Sequence, residues 1–137
     1  MAQWTGRCLC GDVTFAFDPG ALIWQGHCHC KSCRRASGAA VVSWFGLHRD
    51  AWAWTGANPV AYQSSVHATR WHCGRCGNQM GYATTKLPDE MHGLAATLDD
   101  ESLYAPQAHF YHAARLPWIH LGDALPRYVD GGKTLEG

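Results

Sequence analysis

The sequence has no apolar run near the roughly 18 residues that a membrane-spanning helix needs. Its first residues, Met1-Ala2-Gln3-Trp4-Thr5-Gly6-Arg7, carry no apolar stretch of the signal-peptide kind. It has no excess charge of either sign, since 11 lysines and arginines balance 11 aspartates and glutamates. Bulk attraction to nucleic acid or to an anionic membrane is thereby excluded, although a local basic patch is not. Internal repeats, low-complexity tracts and linker-like stretches are missing, and helical periodicity is nearly absent. These absences predict a soluble, cytoplasmic chain whose 137 residues form one domain, 1–137. Apolar residues make up 47%, enough to fill a real core.

What the chain does have is seven cysteines. In a reducing compartment such a density points to metal or catalysis rather than to disulfides. An odd number leaves a disulfide framework incomplete, and cysteines two residues apart bridge only with strain.

Short strand-like runs bounded by Gly, Pro, Asn and Asp recur. Val13-Thr14-Phe15-Ala16-Phe17 ends at the turn signal Asp18-Pro19-Gly20, and Ala39 to Phe45 reads as a buried strand. Ala51 to Thr55 alternates strictly, and Val60 to Gln63, Ala68 to Trp71 and His109 to His112 are weaker candidates. Helix is expected only as short pieces, over Lys31 to Ser37 and in a cap at Asp99 to Ser102. The expected fold is mostly β, a single compact domain of short antiparallel strands organised around cysteine motifs at their ends.

Three cysteine groups stand out: Cys8-Leu9-Cys10, then Cys28-His29-Cys30-Lys31-Ser32-Cys33, then Cys73-Gly74-Arg75-Cys76-Gly77. Zinc takes a tetrahedron of thiolates, and two segments each donating a close pair supply one. Cys8 and Cys10 project to one side of an extended segment, and Cys73 and Cys76 flank a tight turn for which Gly77 supplies positive φ. Cys28, Cys30 and Cys33 then form a local three-sulfur claw, and four plus three leaves no cysteine orphaned. A four-ligand site is the usual structural zinc, and three protein ligands with an open position is the usual catalytic one. A histidine could close the claw: His27, His72, His109 or His112 by reach, with His29 facing away from its neighbouring cysteines. On spacing alone, open and closed coordination stand level.

These motifs resemble the glutathione-dependent formaldehyde-activating enzyme family, which includes centromere protein V. The resemblance covers nearly the whole chain: Gly6-x-Cys8-x-Cys10-Gly11, His27-Cys28-His29-Cys30-x-x-Cys33-Arg34, Ser37-Gly38, Cys73-x-x-Cys76-Gly77, Leu98-Asp99-Asp100, His109, and Leu116-Pro117-Trp118. His72 departs from it, standing where the family commonly carries an aromatic residue. The resemblance implies a β fold similar to the zinc-bearing Rab exchange-accessory factors. It also implies two zinc ions: a structural one on Cys8, Cys10, Cys73 and Cys76, and a second on Cys28, Cys30 and Cys33. If open, that second zinc suits catalysis, and the negative charge of its three thiolates makes it labile. The implied activity is a carbon–sulfur lyase reaction, the condensation of glutathione with formaldehyde to S-(hydroxymethyl)glutathione. The alternative is a non-catalytic zinc-stabilised binding module.

Other residues are weighed beside this. Arg34 could clamp a glutathione carboxylate, or be a solvated charge like its neighbours Lys31 and Arg35. Trp44 and Phe45 could wall a pocket but suit a core. His109 could shuttle a proton or be a satisfied structural histidine. Asp99 and Asp100 suit a turn or cap. The expected partners are a small thiol and a small aldehyde, with no nucleic acid and no membrane.

Overall fold

The protein is described over residues 2–137 by a computed structural model. Short extended segments follow one another as β1 (Trp4–Arg7), β2 (Thr14–Phe17), β3 (Leu22–Cys28), α1 (Lys31–Ser37), β4 (Val42–His48), β5 (Ala53–Trp54), β6 (Val60–Gln63), β7 (Ala68–His72), β8 (Gln79–Thr84), β9 (Glu90–Leu94) and β10 (His109–Phe110). Single 3₁₀ turns fill several connections, such as Pro19–Ala21 behind an Asp18 cap and Glu101–Leu103 behind an Asp100 cap. The mostly-β reading therefore holds, and all seven cysteines are free thiols.

The chain divides into two units. The first takes the residues up to Trp24 together with Phe45–Tyr104. Here β1, β2 and β5 form an antiparallel sheet, with Trp4 opposite Phe17 and Phe15 opposite Trp54. Strands β4, β9, β8, β7 and β6 follow one another in a second sheet. Alternation buries one face of β1 and nearly all of β2, so that Trp4, Phe15 and Phe17 meet Phe45 and Trp52 in an aromatic core. Phe15 stacks on Trp52 with ring centroids 4.4 Å apart, and Phe17 lies 5.1 Å from Phe45. Such pairs add to simple burial. Glycine lets these rings approach the backbone: a Cβ on Gly6 would fall 2.2 Å from the Phe15 ring, and one on Gly93 2.4 Å from Phe45.

The second unit takes Gln25–Trp44 and Ala105–Gly137. Strand β10 pairs with β3 in parallel, His109 opposite His27 and Phe110 opposite Cys28, so not every pairing is antiparallel as expected. Helix α1 starts at Cys30, whose extended backbone and sulfur cap the first turn, and stops at Gly38 in the left-handed region (φ 73°). Much of the remainder is irregular and exposed, tied by side chains that bond backbone. Arg127 donates to the carbonyls of Leu121 and Leu125, and Asp130 accepts from the amides of Gly132, Lys133 and Thr134. No helix among the described residues is long and apolar enough to cross a membrane.

Candidate metal centres

The four-cysteine group lies within the first unit. Cys8 follows β1 and enters a turn closed by Cys8 N–H to Val13 O and Gly11 N–H to Cys8 O. Cys73 follows β7, with its N–H on Asn78 O and Gly77 N–H on Cys73 O, and Gly77 takes φ 77° as its place after Cys76 requires. A 3.0 Å hydrogen bond from Leu9 N–H to Asn78 Oδ1 joins the two turns. Arg75 and Asp12 add an exposed ion pair.

The sulfurs of Cys8 and Cys10 are 3.6 Å apart, as are those of Cys10 and Cys73. A tetrahedron with metal–sulfur bonds of about 2.3 Å has edges of about 3.8 Å, so the spacing fits zinc. Amides also point at the sulfurs, Val13 N–H at Cys8 (3.3 Å) and the Arg75 and Cys76 N–H groups at Cys73 (3.4 Å). Their partial positive charge suits thiolates. Without a cation the group resists full ionisation. The Asn78 amide first, with other donors, holds Cys76 down to about 6. The Asp12 amide favours the Cys10 thiolate too, yet burial and the neighbouring sulfurs push Cys10 up to about 12. Four thiolates this close need a positive charge among them.

The three-cysteine group lies within the second unit, at the junction of β3 and α1. Cys28 ends the strand, Cys30 caps the helix and Cys33 sits in its first turn, where Cys33 N–H donates to the Cys30 sulfur at 3.4 Å. Their sulfurs lie within 4.8 Å of one another, and no His, Asp or Glu among the described residues joins that group. Cys28 and Cys33 hydrogen-bond the Cys30 sulfur, which lowers Cys30 to about 2, while the same contacts raise Cys28. The three close sulfurs form a set that could hold a metal ion.

The histidines weighed as a fourth ligand have other partners. His27 Nδ1 pairs with Ser43 Oγ at 2.8 Å, His109 Nε2 with the Asp123 carboxylate at 2.9 Å, and His112 Nδ1 with Glu136 at 2.6 Å. His29, fully buried, puts Nε2 2.9 Å from His109 Nδ1. Four imidazoles thus cluster with centroids 4.9 to 5.6 Å apart. Burial first, and then the neighbouring imidazoles, which disfavour a second positive charge, lower His29 to about 4. Burial works against the Asp123 carboxylate, but the His109 hydrogen bond and the Leu125 amide prevail and hold it at about 2. His72 lies in β7 of the first unit, in the strand that leads to Cys73.

The family model for the glutathione-dependent formaldehyde-activating enzyme matches residues 3–114, which contain both cysteine groups. The chain belongs to that family. Among solved structures, a Rhodobacter sphaeroides protein determined as a Northeast Structural Genomics target is similar to it. The two are 25% identical with a TM-score of 0.57, over 69% of this chain and 87% of the other. No curated protein matches the chain.

Other candidates from the sequence fall into place around this. Arg34 donates Nε to His29 O and Nη2 to Ala114 O, both at 3.1 Å, so its guanidinium braces the claw's own backbone. Lys31 and Arg35 are exposed, Phe45 belongs to the aromatic core, and Trp44 is buried. Asp99 accepts from Thr5 Oγ1, and Asp100 caps its 3₁₀ turn, as a turn reading requires. Asp123 and Glu136, which partner the histidine cluster, were not foreseen. Both lie beyond the matched segment, and nothing in their local sequence marks them. The cluster itself had a visible signal, because period two in His27-Cys28-His29-Cys30 separates imidazoles from sulfurs.

Proposed function

We propose that this family member is a zinc-dependent carbon–sulfur lyase that joins glutathione to formaldehyde at Cys28, Cys30 and Cys33. In this reading a second, structural zinc sits on Cys8, Cys10, Cys73 and Cys76. The observation that carries the division is unequal donor count: four sulfurs gather in one group, and three sulfurs in the other, with no fourth protein donor among the described residues. Zinc held by Cys28, Cys30 and Cys33 would supply an open position at which a thiol gives up its proton readily.

The chain's own residues do the rest. Cys28, Cys30 and Cys33 fix that position on the rigid strand–helix junction. Their accumulated negative charge favours exchange of the incoming thiolate over tight retention. Arg34, oriented by its two carbonyl contacts, presents Nη1 to a glutathione carboxylate. In the reaction a sulfur–carbon bond forms, the carbonyl π bond of formaldehyde breaks, and the thiol proton ends on the oxygen. Reduced thiols suit a cytoplasmic setting.

The test is carbon-13 NMR of labelled formaldehyde and glutathione with zinc-loaded protein. Adduct formation should be faster than the uncatalysed rate, and Cys30→Ala should remove the gain. A two-zinc protein that gives no acceleration would instead mark a non-catalytic zinc-stabilised module.

A further inference from the structure

We infer that Asp123 is a positioning residue for the three-cysteine site, acting through His109 on His29, the residue between two of its sulfurs. The inference rests on the reading of that group as the working zinc site. His29 and the cysteines on either side of it alternate along one extended segment. Holding the imidazole in place on one side therefore fixes how Cys28 and Cys30 are presented on the other.

The hydrogen bonds also have a direction. The Asp123 carboxylate only accepts, so His109 Nε2 carries a proton and donates it, at 2.9 Å to Oδ2 and 3.0 Å to Oδ1. His109 Nδ1 is then bare and accepts from His29 Nε2–H at 2.9 Å. His29 is left with a bare Nδ1, buried and without a hydrogen-bond partner. A doubly protonated His109 would place a proton on that Nδ1 instead. A buried N–H without an acceptor is the costlier orphan, so the first arrangement wins. Metal-binding segments commonly depend on such outer partners.

Asp123 is itself held in place. Leu125 N–H at 2.9 Å and Arg127 Nη1 at 3.3 Å both donate to Oδ1. In Asp123→Asn they keep the amide oxygen at that position, 3.0 Å from His109 Nε2, so the neutral isostere still accepts from His109. The wiring therefore survives in Asp123→Asn and loses its anchor in Asp123→Ala, where His109 Nε2–H has no acceptor.

The experiment uses full-length, zinc-loaded protein with two readouts. Nitrogen-15 NMR of the imidazoles should show Nε2–H on His29 and His109 in the native chain, in Asp123→Glu and in Asp123→Asn, and loss of that fixed pattern in Asp123→Ala. Zinc transfer to a chromophoric chelator should be about 10- to 100-fold faster from the three-cysteine group in Asp123→Ala. Release from the four-cysteine group should be unchanged, and Asp123→Glu should restore much of the slow release. Nδ1–H on His29 in the native chain, tautomers that stay fixed in Asp123→Ala, or native-rate release in Asp123→Ala overturn the inference. Should the native three-cysteine group take no zinc, the inference falls with the proposed function; zinc bound there but released at the native rate from Asp123→Ala overturns the inference alone.

Discussion

The two cysteine groups use the same ligand chemistry in opposite surroundings. Around Cys8 and Cys73, both almost fully buried, the first unit packs Trp4, Phe15, Phe17, Phe45 and Trp52 into one apolar cluster. Around Cys28, Cys30 and Cys33 the second unit places four imidazoles and the carboxylates of Asp123 and Glu136. Cys8 and Cys73 tie the first group to that core, while Cys10 is exposed. Among the described residues the second group has no fourth donor, and His29, on the same segment, joins a hydrogen-bonded chain to His109 and Asp123. Ligand count and neighbourhood thus differ together: four sulfurs beside an aromatic core, and three beside polar side chains.

This comparison can be broken most severely at Cys73. Cys73→Ala should leave a chain with no cooperative unfolding transition, because loss of a zinc worth about 10 kcal/mol or more exceeds the stability of most domains. Circular dichroism during heating checks it, and a sharp transition near the native one would contradict the structural role.

Phe45→Ala, in the same unit, should cost about 3–5 kcal/mol from lost burial and the cavity left behind. Denaturant unfolding measures this. The three-cysteine group should keep its zinc under native conditions.

The third prediction concerns pH. His92 is buried between Glu90 and the rings of Trp24 and Tyr82, with Nε2 2.9 Å from Glu90 Oε1. Burial outweighs the Glu90 contact and lowers its pKa from the ordinary 6.5. A lowered histidine pKa means that the unfolded chain binds the proton more readily than the folded one. Its contribution is therefore present above 6.5 and lost as pH falls through the folded pKa below it. Stability of His92→Gln should accordingly decline less steeply than the native chain below that pH. Equal slopes in denaturant titrations would show that His92 is not held neutral.

The smallest effect on stability is expected for Cys30→Ala. The main unfolding transition, set by the aromatic unit, should move by no more than about 1 kcal/mol, or a few degrees. One zinc and any thiol-dependent activity should be lost together. If its stability falls as far as that of Cys73→Ala, the division of labour between the sites is wrong.

Much of this division was legible in the sequence. The cysteine partition could be read because its close pairs leave no other grouping without orphans. Helix α1 matched the expected Lys31 to Ser37, since Gly38 marks its end, and β6 matched at Val60 to Gln63. The strands that escaped notice were β1, β3, β8 and β9, and each contains a glycine: Gly6, Gly26, Gly81 and Gly93. In all four a Cβ would come within 2.5 Å of a side chain, a ring in three cases and Met91 in the fourth. The neighbour fills the place that an apolar side chain would take, so tight packing erased the alternation that announces a strand. Strand β4, expected to stop at Phe45, runs on through Gly46 to His48 for the same reason. The Asp123–His109–His29 chain was illegible in another way, because its members are brought together by tertiary folding alone.

The central claim, two zinc sites of unequal coordination, is tested most directly by zinc content with X-ray absorption on protein purified free of small thiols. Two zincs per chain with an average of about 3.5 sulfurs each, and a light, exchangeable atom completing the deficient site, are predicted. A histidine nitrogen in place of that exchangeable atom, or four sulfurs at every zinc, would contradict it.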